Sequence, residues 1–85
     1  MKLDIKEFLN AIGEGREIEI NFQGKCYFLS SKKAKRGVVY LFNEVSSPKS
    51  NHIMAFDSIY ELMKVNIENQ TLIEILSNIE DYTIF

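Results

Sequence analysis

The 85-residue chain has one cysteine, one histidine, one proline and four glycines, and each scarcity closes off a class of protein. One thiol, Cys26, can build neither an intrachain disulfide framework nor a cysteine-rich zinc site. So little Gly and Pro, with no low-complexity tract, argues against a disordered chain. No apolar run approaches the roughly 18 residues of a membrane-spanning helix. The opening "MKLDIKEFLNAI" mixes charges into its apolar positions and does not read as a secretory signal. A cytoplasmic setting without a membrane partner is the resulting expectation.

The same scarcity bears on catalysis. A nucleophilic site needs a base in hydrogen-bond reach, oriented by a third group. A Cys26–His52 pair across strands is the only combination of its kind, and a lone strand cysteine behaves as a small hydrophobe. Glu7, Glu61 and Glu74 have helix-capping explanations, and the adjacent side chains of Glu80 and Asp81 diverge. "GEGRE" at 13–17 lacks the preceding strand that a dinucleotide fingerprint requires. We therefore expect no enzyme: no catalytic residue, no metal and no cofactor.

What is present is an ordinary globular composition, 46% hydrophobic and 26% charged, in one domain spanning residues 1–85. Charge is unevenly placed. Residues 22–56 hold six Lys or Arg against Glu44 alone, whereas residues 57–85 hold six acids against Lys64 alone. Such a chain either steers a charged partner or neutralises itself between its halves.

Ile5, Phe8, Leu9 and Ile12 fall at i, i+3, i+4 and i+7, predicting a helix capped by Asp4 with Glu7 and stopped at Gly13 and Gly15. From Ile18 the period drops to 2. Gln23-Gly24 reads as a two-residue hairpin turn, placing Ile18, Ile20, Phe22, Tyr27 and Leu29 on a buried face. Cys26 and Phe28 then share the other face with Glu19 and Asn21. "VVYLFNEV" is a third strand and "NHIMAF" a fourth, joined by a loop containing "SSPKS". Ser58 with Glu61 caps a short helix through Ile59, Leu62 and Met63. "VNIENQ" weakens helical preference. Thr71 with Glu74 opens a last helix carrying Leu72, Ile75, Leu76 and Ile79. The tail "DYTIF" reads as an edge strand or a frayed end. The expected class is α+β: an N-terminal helix, a three- to four-stranded antiparallel sheet, and two short C-terminal helices.

Two charged features are candidate contacts. Lys32, Lys33, Lys35 and Arg36 form a basic knot at the expected hairpin tip. It suits phosphates, an acidic protein surface, or simple solvation that blocks edge pairing. Glu61, Glu68, Glu74, Glu80 and Asp81 could imitate a run of phosphates, or be a solvated helix face. Phe28 is an aromatic candidate for an interface.

The stretches "EFLNAIGEGREIEINFQGKCYFLS", "FDSIYELM", "TLIEIL" and the closing "IF" resemble a group of small uncharacterised proteins from low-GC Gram-positive bacteria and their phages. The chain departs from that group in its long charged segment "SSKKAKR". The resemblance carries no assigned activity. It implies a phage or mobile-element setting, in which small single-domain proteins commonly bind and block a host protein. The leading expectation is thus a non-enzymatic protein-binding module, an inhibitor of a bacterial defence protein such as a CRISPR nuclease, docking through the acidic helices or the strand surface around Phe28. The alternatives are a nucleic-acid-binding accessory protein using the basic knot, and a toxin–antitoxin or immunity partner. An unpaired "DYTIF" edge would also permit a homodimer.

Overall fold

A computed structural model of the protein describes residues 2–45 and 52–85. Asp4 opens α1 (Ile5–Gly13), its carboxylate accepting the Lys6 amide at 2.7 Å. Asp4 thus caps the first turn as expected, through the Lys6 amide rather than that of Glu7. The buried stripe is Phe8, Ala11 and Ile12, while Ile5 and Leu9 stay more than a third exposed. Ala11 rather than Leu9 faces the sheet. The helix ends when Gly15 takes a positive φ of 77°, with Gly13 still inside the last turn.

Strands β1 (Ile18–Phe22) and β2 (Lys25–Ala34) pair with Ile18 opposite Leu29, Ile20 opposite Tyr27 and Phe22 opposite Lys25. Gln23 and Gly24 both have positive φ, 51° and 75°, the geometry of a hairpin turn whose twist matches its strands. Strand β3 (Gly37–Glu44) returns along β2, and β4 (His52–Phe56) adds to β3. The "SSPKS" loop, Asn51 and the side chain of His52 lie outside the described residues.

After β4, Ser58 caps α2 (Ile59–Met63) by accepting the Glu61 amide at 3.2 Å. The segment read only as weakened helix is a small ribbon of β5 (Asn66–Ile67) and β6 (Gln70–Thr71). Its turn residues Glu68 and Asn69 take φ of 52° and 66° without any glycine. Lys25 holds the ribbon against the main sheet through a 3.0 Å ion pair with Glu68. Thr71 then forms the expected reciprocal box with Glu74 and starts α3 (Leu72–Leu76). The tail forms β7 (Asp81–Ile84), antiparallel to β1.

The main sheet therefore has five strands, in the order β4-β3-β2-β1-β7: the four of the larger expected sheet, with the tail joined to it as an edge strand. The class is α+β with every neighbouring pair antiparallel. Ile18, Ile20, Phe22, Tyr27, Leu29 and Phe42 bury one sheet face against Phe8, Ile12, Leu62, Leu72, Ile75, Leu76 and Ile79. Removing such side chains from water is the main source of stability, at about 25 cal/mol per Å² of apolar surface.

Candidate functional site

Among the described residues, the three helices sit on that one face, and no element covers the opposite face. Along β2 the outward residues are Cys26, Phe28, Ser30 and Lys32. Their neighbours are Val39, Leu41 and Asn43 on β3, Ile53 and Ala55 on β4, and Glu19 and Asn21 on β1. Ile53 is 59% exposed and Phe85 is 58% exposed, high values for large apolar side chains. The Phe85 ring folds back over β1 and stacks on Phe28, with centroids 6.4 Å apart and planes 25° from parallel. Arg16 fixes this arrangement by donating from Nε to the Phe85 carbonyl at 2.8 Å.

A depression of about 240 Å³ opens on this face between Glu17, Phe28, Ser30, Leu41, Asn43 and Ile53. The Oδ1 of Asn43 is buried with no hydrogen-bond donor among the described residues. An unmet buried acceptor is costly and is rare in folded proteins. The face thus combines an apolar centre, an unmet polar group and a charged rim. The expectation that Phe28 lies opposite the core holds, and the period-2 alternation from Ile18 carried that information.

The basic knot is differently built from the expected hairpin loop. Strand β2 runs to Ala34, so Lys32 and Lys33 are strand residues paired with Val39 and Val38. Only Lys35 and Arg36 form the turn. Strand β1 begins opposite Leu29, and β4 ends opposite Tyr40. Residues 32–39 therefore project beyond the sheet as a two-stranded arm, and Lys32 and Lys33 point to opposite sides. The root of the arm is tied to α1 where Ser31 donates to the Ile12 carbonyl at 3.1 Å. Among the described residues, none of the four cations joins an ion pair.

The acids are placed elsewhere, and most already have partners. Glu68 pairs with Lys25, Glu74 completes the α3 cap, Glu80 accepts the Gly24 amide, and Asp81 accepts from Asn21. Glu61 is exposed at the first turn of α2. A continuous phosphate-like row is therefore not what these residues form; they chiefly hold the sheet, the ribbon and the caps together. Sequence reasoning missed Phe85, Leu41, Ile53 and Asn43 as members of the uncovered face. The closing "IF" could have signalled Phe85, since a strand reading of "DYTIF" puts it in phase with Asp81 and Thr83.

Cys26 lies half-buried on this face beside Glu19. Burial pushes its thiol up, and hydrogen bonding and charge from Glu19, with the charge of Asp81, add to the effect. Such a thiol carries little thiolate at neutral pH and is a poor nucleophile. No group of His, Cys, Asp and Glu among the described residues is arranged to hold a metal ion. Nor is any helix among them long and apolar enough to cross a membrane. Comparison of the chain with protein-family models, with curated proteins and with solved structures finds no match.

Proposed function

We propose that this protein is a non-enzymatic protein-binding module whose docking surface is the helix-free face of its sheet. The observation that carries the reading is the Phe28–Phe85 stack beside exposed Ile53, apolar surface that the fold leaves in water. Aromatic side chains bury large area at small entropic cost, which suits them to the centre of a protein interface. The setting implied by the resemblance makes a bacterial defence protein such as a CRISPR nuclease the first target to test. An immunity or antitoxin role would rest on the same surface physics.

A sheet with exposed aromatics and a nearby basic arm also suits single-stranded nucleic acid, because bases stack on such platforms. The second reading is favoured by the four unpaired cations of the arm among the described residues. It is opposed by Glu19, directly opposite Phe28 in the register, and by Glu17 at the same depression. Phosphates approaching the stack would meet carboxylates there.

Binding to random single- and double-stranded DNA across a salt series separates the two. The protein reading expects no binding at low salt. Binding that weakens steeply with salt and vanishes when Lys32, Lys33, Lys35 and Arg36 become Ser would replace it with the nucleic-acid reading. Activity is read by expressing the protein in a host carrying a CRISPR nuclease and counting phage escape. Phe28→Asp should abolish protection while the four-Ser arm variant keeps it.

A further inference from the structure

We propose that the depression on the uncovered face is a recognition site for an arginine side chain presented by the partner protein. The inference rests on the reading of that face as a protein-docking surface, and names the chemistry it recognises. Charge supplies the first argument. Glu17, Glu19 and Asp81 stand on this face, and among the described residues Lys32 is its single cation. Lys32 forms an ion pair with none of them. A partner seated there therefore has to bring positive charge. Two of the acids are already engaged, Asp81 by the Asn21 amide and Glu19 by the Cys26 thiol. Glu17 is exposed, forms no ion pair among the described residues, and is the acid that lines the depression.

The lining supplies the second argument. Glu17 offers a carboxylate, Asn43 an amide oxygen and Ser30 a hydroxyl, and no cation stands among them. All three accept hydrogen bonds. The Oδ1 of Asn43 is buried without a donor among the described residues, so the amide gains a bond by turning its oxygen toward a donor that enters. Phe28 adds an aromatic wall, and Leu41 and Ile53 add apolar ones.

A guanidinium is the side-chain head that uses every part of this lining. It is planar and weakly hydrated, it stacks on an aromatic ring, and it spreads five donors in a fork. The methylenes behind it can lie along Leu41 and Ile53. A lysine ammonium is a compact, strongly hydrated charge that does not stack flat. A phosphate or carboxylate would meet Glu17, and an apolar side chain would leave Glu17 and Asn43 without donors. The volume of about 240 Å³ lies below the roughly 300–1,000 Å³ usual for small-molecule sites, and suits one side chain.

Nuclear magnetic resonance titration of the whole, nitrogen-labelled chain tests the proposal. The probes are a capped peptide with one arginine between glycines, and the same peptide with lysine or citrulline in its place. The arginine peptide should shift the signals of Ser30, Leu41, Asn43 and Ile53, with a dissociation constant on the order of a few millimolar. Lysine should bind roughly threefold more weakly, and citrulline, which keeps the shape but loses the charge, roughly tenfold. Glu17→Gln, at an exposed position, should weaken the arginine peptide roughly fivefold. Phe28→Leu should weaken it roughly threefold while keeping an apolar wall. Shifts scattered over the surface, equal binding of lysine and arginine, or an affinity unmoved by Glu17→Gln would each overturn the assignment. The phage-escape assay separates that failure from failure of the docking surface. Glu17→Lys and Phe28→Asp should both lose protection. Loss with Phe28→Asp alone overturns the arginine and leaves the docking surface standing. Protection kept by both variants overturns the docking surface, and the arginine site with it.

Discussion

Tyr27 and Phe28 are adjacent aromatics with opposite fates. Tyr27 is 1% exposed and packs on Phe42 with ring centroids 5.3 Å apart, while Phe28 belongs to the uncovered face. Tyr27→Ala should cost about 3–5 kcal/mol by opening a core cavity. Phe28→Ser should change stability by less than about 1 kcal/mol, because little of its environment is core. Urea melts of the two variants check the contrast, and similar losses would refute the assignment of faces. This pair was legible in the sequence, since strict alternation and a two-residue turn leave a single phase. The α1 stripe was less so: Phe8 and Ile12 fit it with either Leu9 or Ala11 alongside, and hydrophobicity does not decide between them.

Lys25, Cys26 and Tyr27 are consecutive, and all three hold their protons more tightly than usual. The hydrogen bond that Lys25 donates to the Glu68 carboxylate chiefly raises Lys25, while burial chiefly raises Cys26 and Tyr27. A group raised in the folded chain contributes stability that is complete below its ordinary value and is lost as pH climbs through the folded value. The ordinary values are 9.0 for Cys26, 10.0 for Tyr27 and 10.5 for Lys25. The melting temperature should therefore fall from just above pH 9.0 and go on falling beyond 10.5. Glu68→Gln should soften the last part of that decline. The Cys26 thiol should alkylate more slowly at neutral pH than a small-molecule thiol of ordinary pKa, and Glu19→Gln should quicken it; equal rates would contradict the burial and charge around Cys26.

Among the elements, the β5–β6 ribbon was the hardest to foresee. Its turn puts Glu68 and Asn69 in the left-handed region, where most hairpins of this kind use glycine, so the sequence lacked the usual mark. Asn tolerates that region better than most residues but not without strain. Asn69→Gly should raise stability by about 0.5 kcal/mol, or roughly 2–4 °C in a domain of this size. A lowered melting temperature would show that Asn69 makes a contribution its backbone geometry does not explain. The α3 cap was foreseen from Thr71 and Glu74 three apart, and Thr71→Ala should cost about 1 kcal/mol. The length of β2 was not foreseen. Lysines at 32 and 33 read as a loop because strand propensity is low for Lys, yet pairing with Val38 and Val39 carries the strand through them.

At the scale of the molecule, the division between a basic middle and an acidic last third becomes a division of labour. The acids are spent on fastening: Glu68 to Lys25, Glu80 to the β1–β2 turn, and Asp81 to β1. The cations of the arm are left in water, and the apolar face between the two is left open. The sequence could show the charges but not this outcome, because fastening depends on which residues the antiparallel return of β7 brings beside β1. That return makes a sharp demand on the chain's last residues. Tyr82 and Ile84 pack against the core, Phe85 stacks on Phe28, and the Phe85 carbonyl holds Arg16. Removing residues 81–85 would expose the edge of β1 and strip apolar cover from Ile18 and Ile20, which are fully buried in the intact chain. A domain this small has total stability of only about 5–10 kcal/mol, and losing two half-buried apolar side chains with a ladder of hydrogen bonds consumes most of it. The truncated chain should be largely unfolded or aggregated, whereas Phe85→Ser should fold normally and lose only the stack. Far-ultraviolet circular dichroism of the two variants decides the matter: a cooperative melt in the truncated chain would show that the four strands β1–β4 and the helices suffice, and that β7 serves the open face alone.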